Sequence, residues 1–175
     1  MIYGQKVPNI PYPVVNEREI RAAAGLMFLI GIITFCTVFF TRDYFLMHVV
    51  VPIFWLDFFL KSVFAPRFSI FGFLGGLMVR NQTSEYVGAI QKRFAWSLGL
   101  ILATTMVIVA IFLEIHGWAP FAICATCLSF MWMETALGVC VGCQIYQWLL
   151  KKKIIPQPEH QPTCPGGVCS LKNLG

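Results

Sequence analysis

The chain has 175 residues, of which 58% are hydrophobic and only 12% are charged, and its mean hydropathy is +0.73. A soluble domain is typically about 45–50% apolar and about 25% charged. Sixteen phenylalanines, five tryptophans and five tyrosines supply more apolar surface than a domain of this size can hide from water. These values exclude a water-soluble enzyme and predict a protein whose solvent is lipid. The net charge of +5 is then explained by anchoring at a membrane surface, and no nucleic-acid partner is expected.

Four apolar stretches are long enough to cross a bilayer. A hydrocarbon core about 30 Å thick requires roughly 20 residues of helix. The predicted spans are residues 22–41, 44–60, 94–113 and 119–150. The last stretch is too long for one untilted span, so we expect it to continue inward as a helix or to break at Gly138 and Gly142. The apolar run 70–79 is too short to cross and is expected to lie in the membrane interface.

Positive charge is concentrated on one side of these spans. Every lysine and arginine except Arg42 lies in the N-terminal arm, in the connection between the second and third spans, or in the tail. Because positively charged loops stay in the cytoplasm, both termini are predicted to be cytoplasmic. The chain then divides into a cytoplasmic arm (1–21), a four-helix transmembrane domain (22–150) and a cytoplasmic tail containing prolines and cysteines (151–175). The predicted fold class is an all-α membrane protein, a four-transmembrane-helix bundle with a short interfacial segment between helices 2 and 3.

Four sequence blocks carry a family resemblance. They are Asn-Glu-Arg at 16–18, Ala-Pro-Arg-Phe-Ser at 65–69, Lys-Arg-Phe-Ala at 92–95, and Gly-Val-Cys-Val-Gly-Cys-Gln-Ile-Tyr at 138–146. Together they resemble the bacterial membrane family called domain of unknown function 4395. The resemblance implies a small four-helix integral membrane protein, and hence a multi-pass protein of the bacterial inner membrane. It also implies a family sometimes found near thiol-redox or sulfur-transfer proteins.

Six of the seven cysteines occur in closely spaced pairs. The pairs are Cys124/Cys127 toward the outer face, Cys140/Cys143 near the inner face, and Cys164/Cys169 in the tail. In a C-x-x-C pair one thiolate attacks a disulfide and the other thiol resolves the mixed disulfide. The outer pair is open to three interpretations, namely packing, a disulfide or redox pair, and metal binding. For the inner pair we expect a chemical role, which is redox exchange, persulfide carriage or metal binding.

The inner pair and the tail pair also have the spacing of a metal site. Cys140 and Cys143 are followed by Cys164 and Cys169 in the order C-x2-C, twenty residues, C-x4-C. Four-thiolate zinc sites have this form, and a proline-rich connection would let the tail fold back to the membrane. Zinc or another thiolate-bound metal is therefore the cofactor that the spacing allows, and the cofactor itself stays open.

Glu134 is an acid at membrane depth. A carboxylate there costs at least about 2.5 kcal/mol, so it is expected to face a partner or a cavity. Seven residues separate it from Cys127, which places both on one face of a helix, and it is a candidate proton acceptor for the outer pair. An equally good interpretation is a neutral acid that hydrogen-bonds a threonine of a neighbouring span. On an unbroken helix Cys143 would point away from Glu134.

The sequence thus predicts an integral membrane thiol protein for redox or sulfur relay, with its C-x-x-C pairs acting together with a thiol-redox or sulfur-transfer partner. The candidate catalytic residues are Cys140, Cys143, Cys124, Cys127 and Glu134. Two alternatives stay open. One is a structural or accessory subunit of a larger membrane complex with a cysteine metal site. The other is a small transporter of a sulfur species or a soft metal, for which Met131 and His48 would join the pathway.

Overall fold

The computed structural model describes residues 4–6 and 12–155, and this part of the chain is mostly helical. The predicted tail lies almost entirely outside the described residues. In chain order the elements are β1 (Val14–Asn16), α1 (Glu17–Thr41), α2 (Phe45–Phe59), α3 (Ile70–Met78), β2 (Tyr86–Gly88), α4 (Ala89–Val107), α5 (Trp118–Trp132) and α6 (Val141–Lys151). Each of α2, α4 and α5 continues through a π-helical turn: Leu60–Phe64, Ile108–Phe112 and Met133–Leu137. A short 3-10 turn, Pro66–Phe68, precedes α3.

The prediction of four spans is confirmed in length and composition. Four helices are long and apolar enough to cross a membrane: Glu17–Thr41, Phe45–Phe64, Ala89–Phe112 and Trp118–Leu137. Their outer surfaces are strongly apolar at the end where α1 meets α2, since Phe40, Phe45 and Trp118 are among the most exposed side chains described. Such a surface is suited to contact with lipid acyl chains.

A small antiparallel sheet closes the other end of the bundle, which we call the sheet end. The sequence analysis predicted no strands, but β1 pairs with β2 in the register Val14 to Gly88 and Asn16 to Tyr86. The side chain of Asn16 also caps α1 by accepting a hydrogen bond from the backbone N–H of Arg18. The sheet therefore ties the start of α1 to the start of α4.

The apolar run 70–79 forms α3, which packs on α1. Phe71 is buried against Ala23 and Met27 of α1. The start of α3 is held by Asp57, which is fully buried and accepts hydrogen bonds from the Ser69 hydroxyl (2.6 Å) and the Phe71 N–H (3.1 Å). These contacts attach the segment firmly to the bundle.

The fourth span breaks at Gly138, one of the two positions predicted. Gly138 adopts a left-handed conformation with φ of 66°, which glycine reaches at little cost. A hydrogen bond of 3.2 Å from the Arg21 guanidinium to the carbonyl of Thr135 supports this last turn of the span. Gly142, the other candidate, lies inside α6. Because of this break, residues 139–151 do not continue along the axis of the fourth span, and α6 packs against α4.

Candidate functional site

The inner cysteine pair lies at the first turn of α6. Cys140 is the N-cap residue of this helix, and its sulfur accepts a hydrogen bond of 3.3 Å from the backbone N–H of Cys143. Both side chains are buried at the sheet end, with 5% and 2% of their surfaces exposed. They share a cluster with Ile20, Val87 and Trp96. A sulfur at a helix N-terminus meets the positive end of the helix dipole, which favours the thiolate.

Close packing against α4 requires a glycine between the two cysteines. A Cβ atom built on Gly142 would lie 2.5 Å from the Cβ and 2.6 Å from the Cα of Ala95. Backbone and Cβ atoms cannot move aside cheaply, so any larger residue would separate α6 from α4. The glycine thus allows the cysteine pair to approach the polar side chains that begin α4.

The most important of those side chains is Lys92, which is 2% exposed. Its Nζ atom lies 2.6 Å from Oε1 of Glu134, forming an ion pair between α4 and the last turn of the fourth span. The sequence analysis placed Lys92 in the loop before the third span, and this was wrong because α4 begins at Ala89. The hydroxyls of the intramembrane threonines Thr34 and Thr104 bond to carbonyls of their own helices, so Lys92 is the partner of Glu134.

The positive charge of Lys92 affects the pKa values of the cysteine pair. A hydrogen bond from the Cys143 thiol lowers the pKa of Cys140 below that of an ordinary cysteine, and the positive charge of Lys92 lowers it as well, against the effect of burial. The same hydrogen bond raises the pKa of Cys143, and burial acts in the same direction. The two sulfurs therefore differ in acidity, and Cys140 is the more readily ionised of the pair.

The outer pair lies elsewhere in the bundle but faces the same cavity. Cys124 and Cys127 lie on α5, and Cys124 packs against the cluster of Val38 and Met106 near the end of the bundle opposite the sheet. An apolar cavity of about 160 Å³ runs between the helices and is bordered by Cys124, Cys127, Glu134 and Cys140. Four of the five predicted catalytic residues are thus brought to one space.

The described cysteines are all thiols in this structure: Cys36, Cys124, Cys127, Cys140 and Cys143. Cys164 and Cys169, the other half of the predicted zinc site, lie outside the described residues. Within residues 4–6 and 12–155, no three histidine, cysteine or acidic side chains are arranged to hold a metal ion. His48, a candidate for a transport pathway, is an exposed side chain whose Nδ1 lies 2.8 Å from the carbonyl of Tyr44.

These features define a helical protein with four helices suited to a membrane and a paired thiol at one end of the bundle. The chain belongs to the family described as Domain of unknown function (DUF4395), whose sequence model matches residues 15–151. The matched region includes all of the sheet except Val14, all four long helices and the cysteine pair of α6. No curated protein and no solved structure matches the chain.

Replacing Gly142 with alanine should disrupt the site. The added methyl group meets Ala95, and overpacking of this kind costs about 1–3 kcal/mol. We expect a lower midpoint of unfolding in detergent and faster, less selective alkylation of Cys140 and Cys143. Val141→Ala is the matched control because it removes atoms at the adjacent position. Equal midpoints and equal alkylation for Gly142→Ala and the unmodified protein would show that the close contact is not required.

The reactivity of Cys140 should depend on the charge of Lys92. Alkylation by iodoacetamide follows the thiolate fraction, so it should remain fast below the ordinary cysteine pKa of about 8.5 and fall only as the pH drops through the lowered pKa of Cys140. In Lys92→Met that pKa should rise, and a rise of one unit slows the reaction at pH 7 about tenfold. Peptide mass spectrometry of timed reactions gives the rate at Cys140.

Two further variants control this experiment. Lys92→Met/Glu134→Gln leaves no buried charge without a partner. It should still show a shift to higher pH, smaller than in Lys92→Met, because the lysine lowers the pKa of Cys140 more than Glu134 raises it. Lys152→Met removes an exposed charge after α6 and should leave the profile unchanged. Identical pH profiles in all four proteins would contradict a role for Lys92.

Proposed function

We propose that this protein is an integral membrane thiol redox protein in which the Cys140/Cys143 pair cycles between dithiol and disulfide. The observation that supports this most strongly is the position of the Cys140 sulfur, which caps α6 and accepts the N–H of Cys143. A thiolate stabilised by a helix N-terminus and a nearby cation is the nucleophile of thiol–disulfide exchange. The neighbouring thiol, Cys143, is placed to resolve the mixed disulfide.

The exchange step follows from these roles. The Cys140 thiolate attacks a substrate disulfide, an S–S bond forms between the two, and the second substrate sulfur leaves as a thiolate that takes a proton. Cys143 then loses its proton and attacks the Cys140 sulfur, which releases the reduced substrate and leaves a Cys140–Cys143 disulfide. Two electrons pass from the protein to the substrate, and the reverse sequence oxidises a dithiol partner.

We also propose that the sheet end faces the cytoplasm of a bacterial cell and that the four long helices cross its inner membrane. The support is the charge distribution: Arg67 and Arg80 in the 65–88 connection and the Lys151–Lys153 run follow helices that end at the sheet end, while Arg42 lies in the turn at the opposite end. Basic segments of short loops are retained in the cytoplasm. The tail cysteines would then lie in a reducing compartment, available to a soluble redox partner.

Labelling with a membrane-impermeant maleimide tests this orientation. Cys164 and Cys169 should react in inside-out vesicles and stay unlabelled in right-side-out vesicles. A variant with Asp43→Cys and no other cysteine should show the opposite pattern, because residue 43 lies in the exposed turn between α1 and α2. Labelling of the tail from the outer side would overturn the proposed orientation.

Thiol counting in defined redox buffers tests the redox proposal. In a variant that retains only Cys140 and Cys143, reduced protein should carry two reactive thiols after denaturation, and protein treated with diamide should carry none. Dithiothreitol should restore both. Cys140→Ser and Cys143→Ser should each lose the reversible step. A mixed disulfide with the buffer thiol should be trapped on Cys140 in Cys143→Ser and should not form in Cys140→Ser, which lacks the attacking sulfur.

Three results would contradict this proposal. Persistence of both thiols under oxidant would remove the redox role. A stable mass increase of one sulfur atom on Cys140 would instead indicate sulfur relay. In the full chain, thiols of Cys140, Cys143, Cys164 and Cys169 that become reactive only after a chelator would indicate a structural metal site and an accessory subunit.

A further inference from the structure

The two sulfurs of the proposed redox pair are poorly placed to meet a large partner directly. Cys140 is 5% exposed and Cys143 is 2% exposed, and both are enclosed by the sheet-end cluster. Cys140 does border the cavity that lies between the helices. A reagent that uses this route must be small and soluble in an apolar environment.

The cavity has the size and access for one aromatic or quinoid ring. Its volume is about 160 Å³, and an engineered apolar cavity of about 150 Å³ is known to hold a benzene molecule. Phe130 and Ile145 border it and are also exposed, so the cavity reaches the surface between α5 and α6. In a membrane, that surface of α5 contacts lipid, which gives a lipid-soluble ligand a lateral entrance.

The lining has the chemistry that a two-electron acceptor needs. Phe58 and Trp96 supply flat apolar surfaces for a ring. The Cys140 sulfur supplies electrons, and the Glu134 carboxylate, paired with Lys92, is a polar group within an otherwise apolar lining. A peptide or a nucleotide would be too large, and a metal ion would find too few ligands among these residues.

We propose that this cavity binds the ring of a lipid-soluble quinone, which oxidises the Cys140/Cys143 dithiol to the disulfide. The proposal rests on the redox function above and names its electron acceptor. The Cys140 thiolate adds to the quinone ring and forms a C–S bond. The Cys143 sulfur attacks the Cys140 sulfur, so the S–S bond forms, the C–S bond breaks, and the electron pair leaves on the ring.

The balance of this step is one dithiol and one quinone giving one disulfide and one hydroquinone. The ring gains two electrons and two protons. One proton comes from the Cys143 thiol, and the other comes from water through Glu134, which replaces the proton that Cys140 released when it became a thiolate. The disulfide is reduced again by a small-molecule dithiol through the exchange step described above.

Anaerobic mixing of the reduced protein with decylubiquinone in lipid nanodiscs tests the proposal. The protein should lack Cys36, Cys164 and Cys169, so that only the Cys140/Cys143 pair and the cysteines bordering the cavity can contribute thiols. One hydroquinone should form for each two thiols lost, and the rate should saturate with quinone concentration. Cys140→Ser should abolish the reaction, because it removes the sulfur that adds to the quinone ring.

Variants that fill the cavity separate binding in this space from reaction elsewhere. Ala103→Phe places a ring inside the cavity from α4 and should slow hydroquinone formation at least tenfold while leaving diamide oxidation intact. Met131→Trp fills the same space from α5 and serves if Ala103→Phe does not fold. Ala125→Phe is the matched control, because Ala125 is exposed on α5.

The outcomes distinguish this inference from the proposed function. Suppose that diamide oxidises the pair but decylubiquinone does not react, or reacts at a rate that does not saturate. That result would overturn the quinone site and remain consistent with the proposed redox function. Equal rates for the two cavity-filling variants and Ala125→Phe would also overturn it. Failure of both oxidants to close the disulfide would reject the redox function and the quinone site together.

Discussion

The ion pair between Lys92 and Glu134 is the interaction on which the candidate site depends. Both groups leave water when the bundle forms, and loss of either partner would strand a charge at a cost of about 3–5 kcal/mol. The pair joins the first turns of α4 to the last turn before Gly138, so it fixes where α6 begins. It also holds the positive charge of Lys92 where that charge lowers the pKa of Cys140.

Buried charge is concentrated at the sheet end. A second buried ion pair, Lys61 with Asp57 at 2.6 Å, lies there together with the N-terminus of α3. The opposite end consists of aromatic and aliphatic contacts such as that between Phe35 and Phe121. The bundle is therefore rigid and specific in polar geometry where the cysteine pair lies, and it is held by less directional packing at the other end.

Much of this fold could be predicted from the sequence, because uninterrupted hydropathy marks a span and a glycine marks a break. Span ends at Thr41, Phe45, Phe112 and Trp118 lie within one residue of the predicted bounds, and Gly138 follows from the same signals. The starts of α1 at Glu17 and of α4 at Ala89 do not follow from them. The position of Lys92 inside α4 was not predicted, because a charged residue was taken to end the apolar stretch. The available signal was Glu134, since an acid in a span needs a cation at its own depth. The strands at Val14–Asn16 and Tyr86–Gly88 could not be predicted either, because three-residue strands carry almost no periodicity. The predicted four-cysteine metal site includes Cys164 and Cys169, which lie outside the described part of the chain.

The two-stranded sheet has a consequence for how the protein is made. The hydrogen bond from the N–H of Glu85 to the side chain of Asn16 joins positions 69 residues apart, with the first two long helices between them. During synthesis β1 cannot pair with β2 until both of those helices have left the ribosome. Pairing of the two strands is therefore a late event. Because α4 starts directly after β2, the cysteine pair cannot contact the region of Lys92 until β2 and α4 have been synthesised. The cysteine pair therefore meets Lys92 only in chains whose four long helices have all been synthesised.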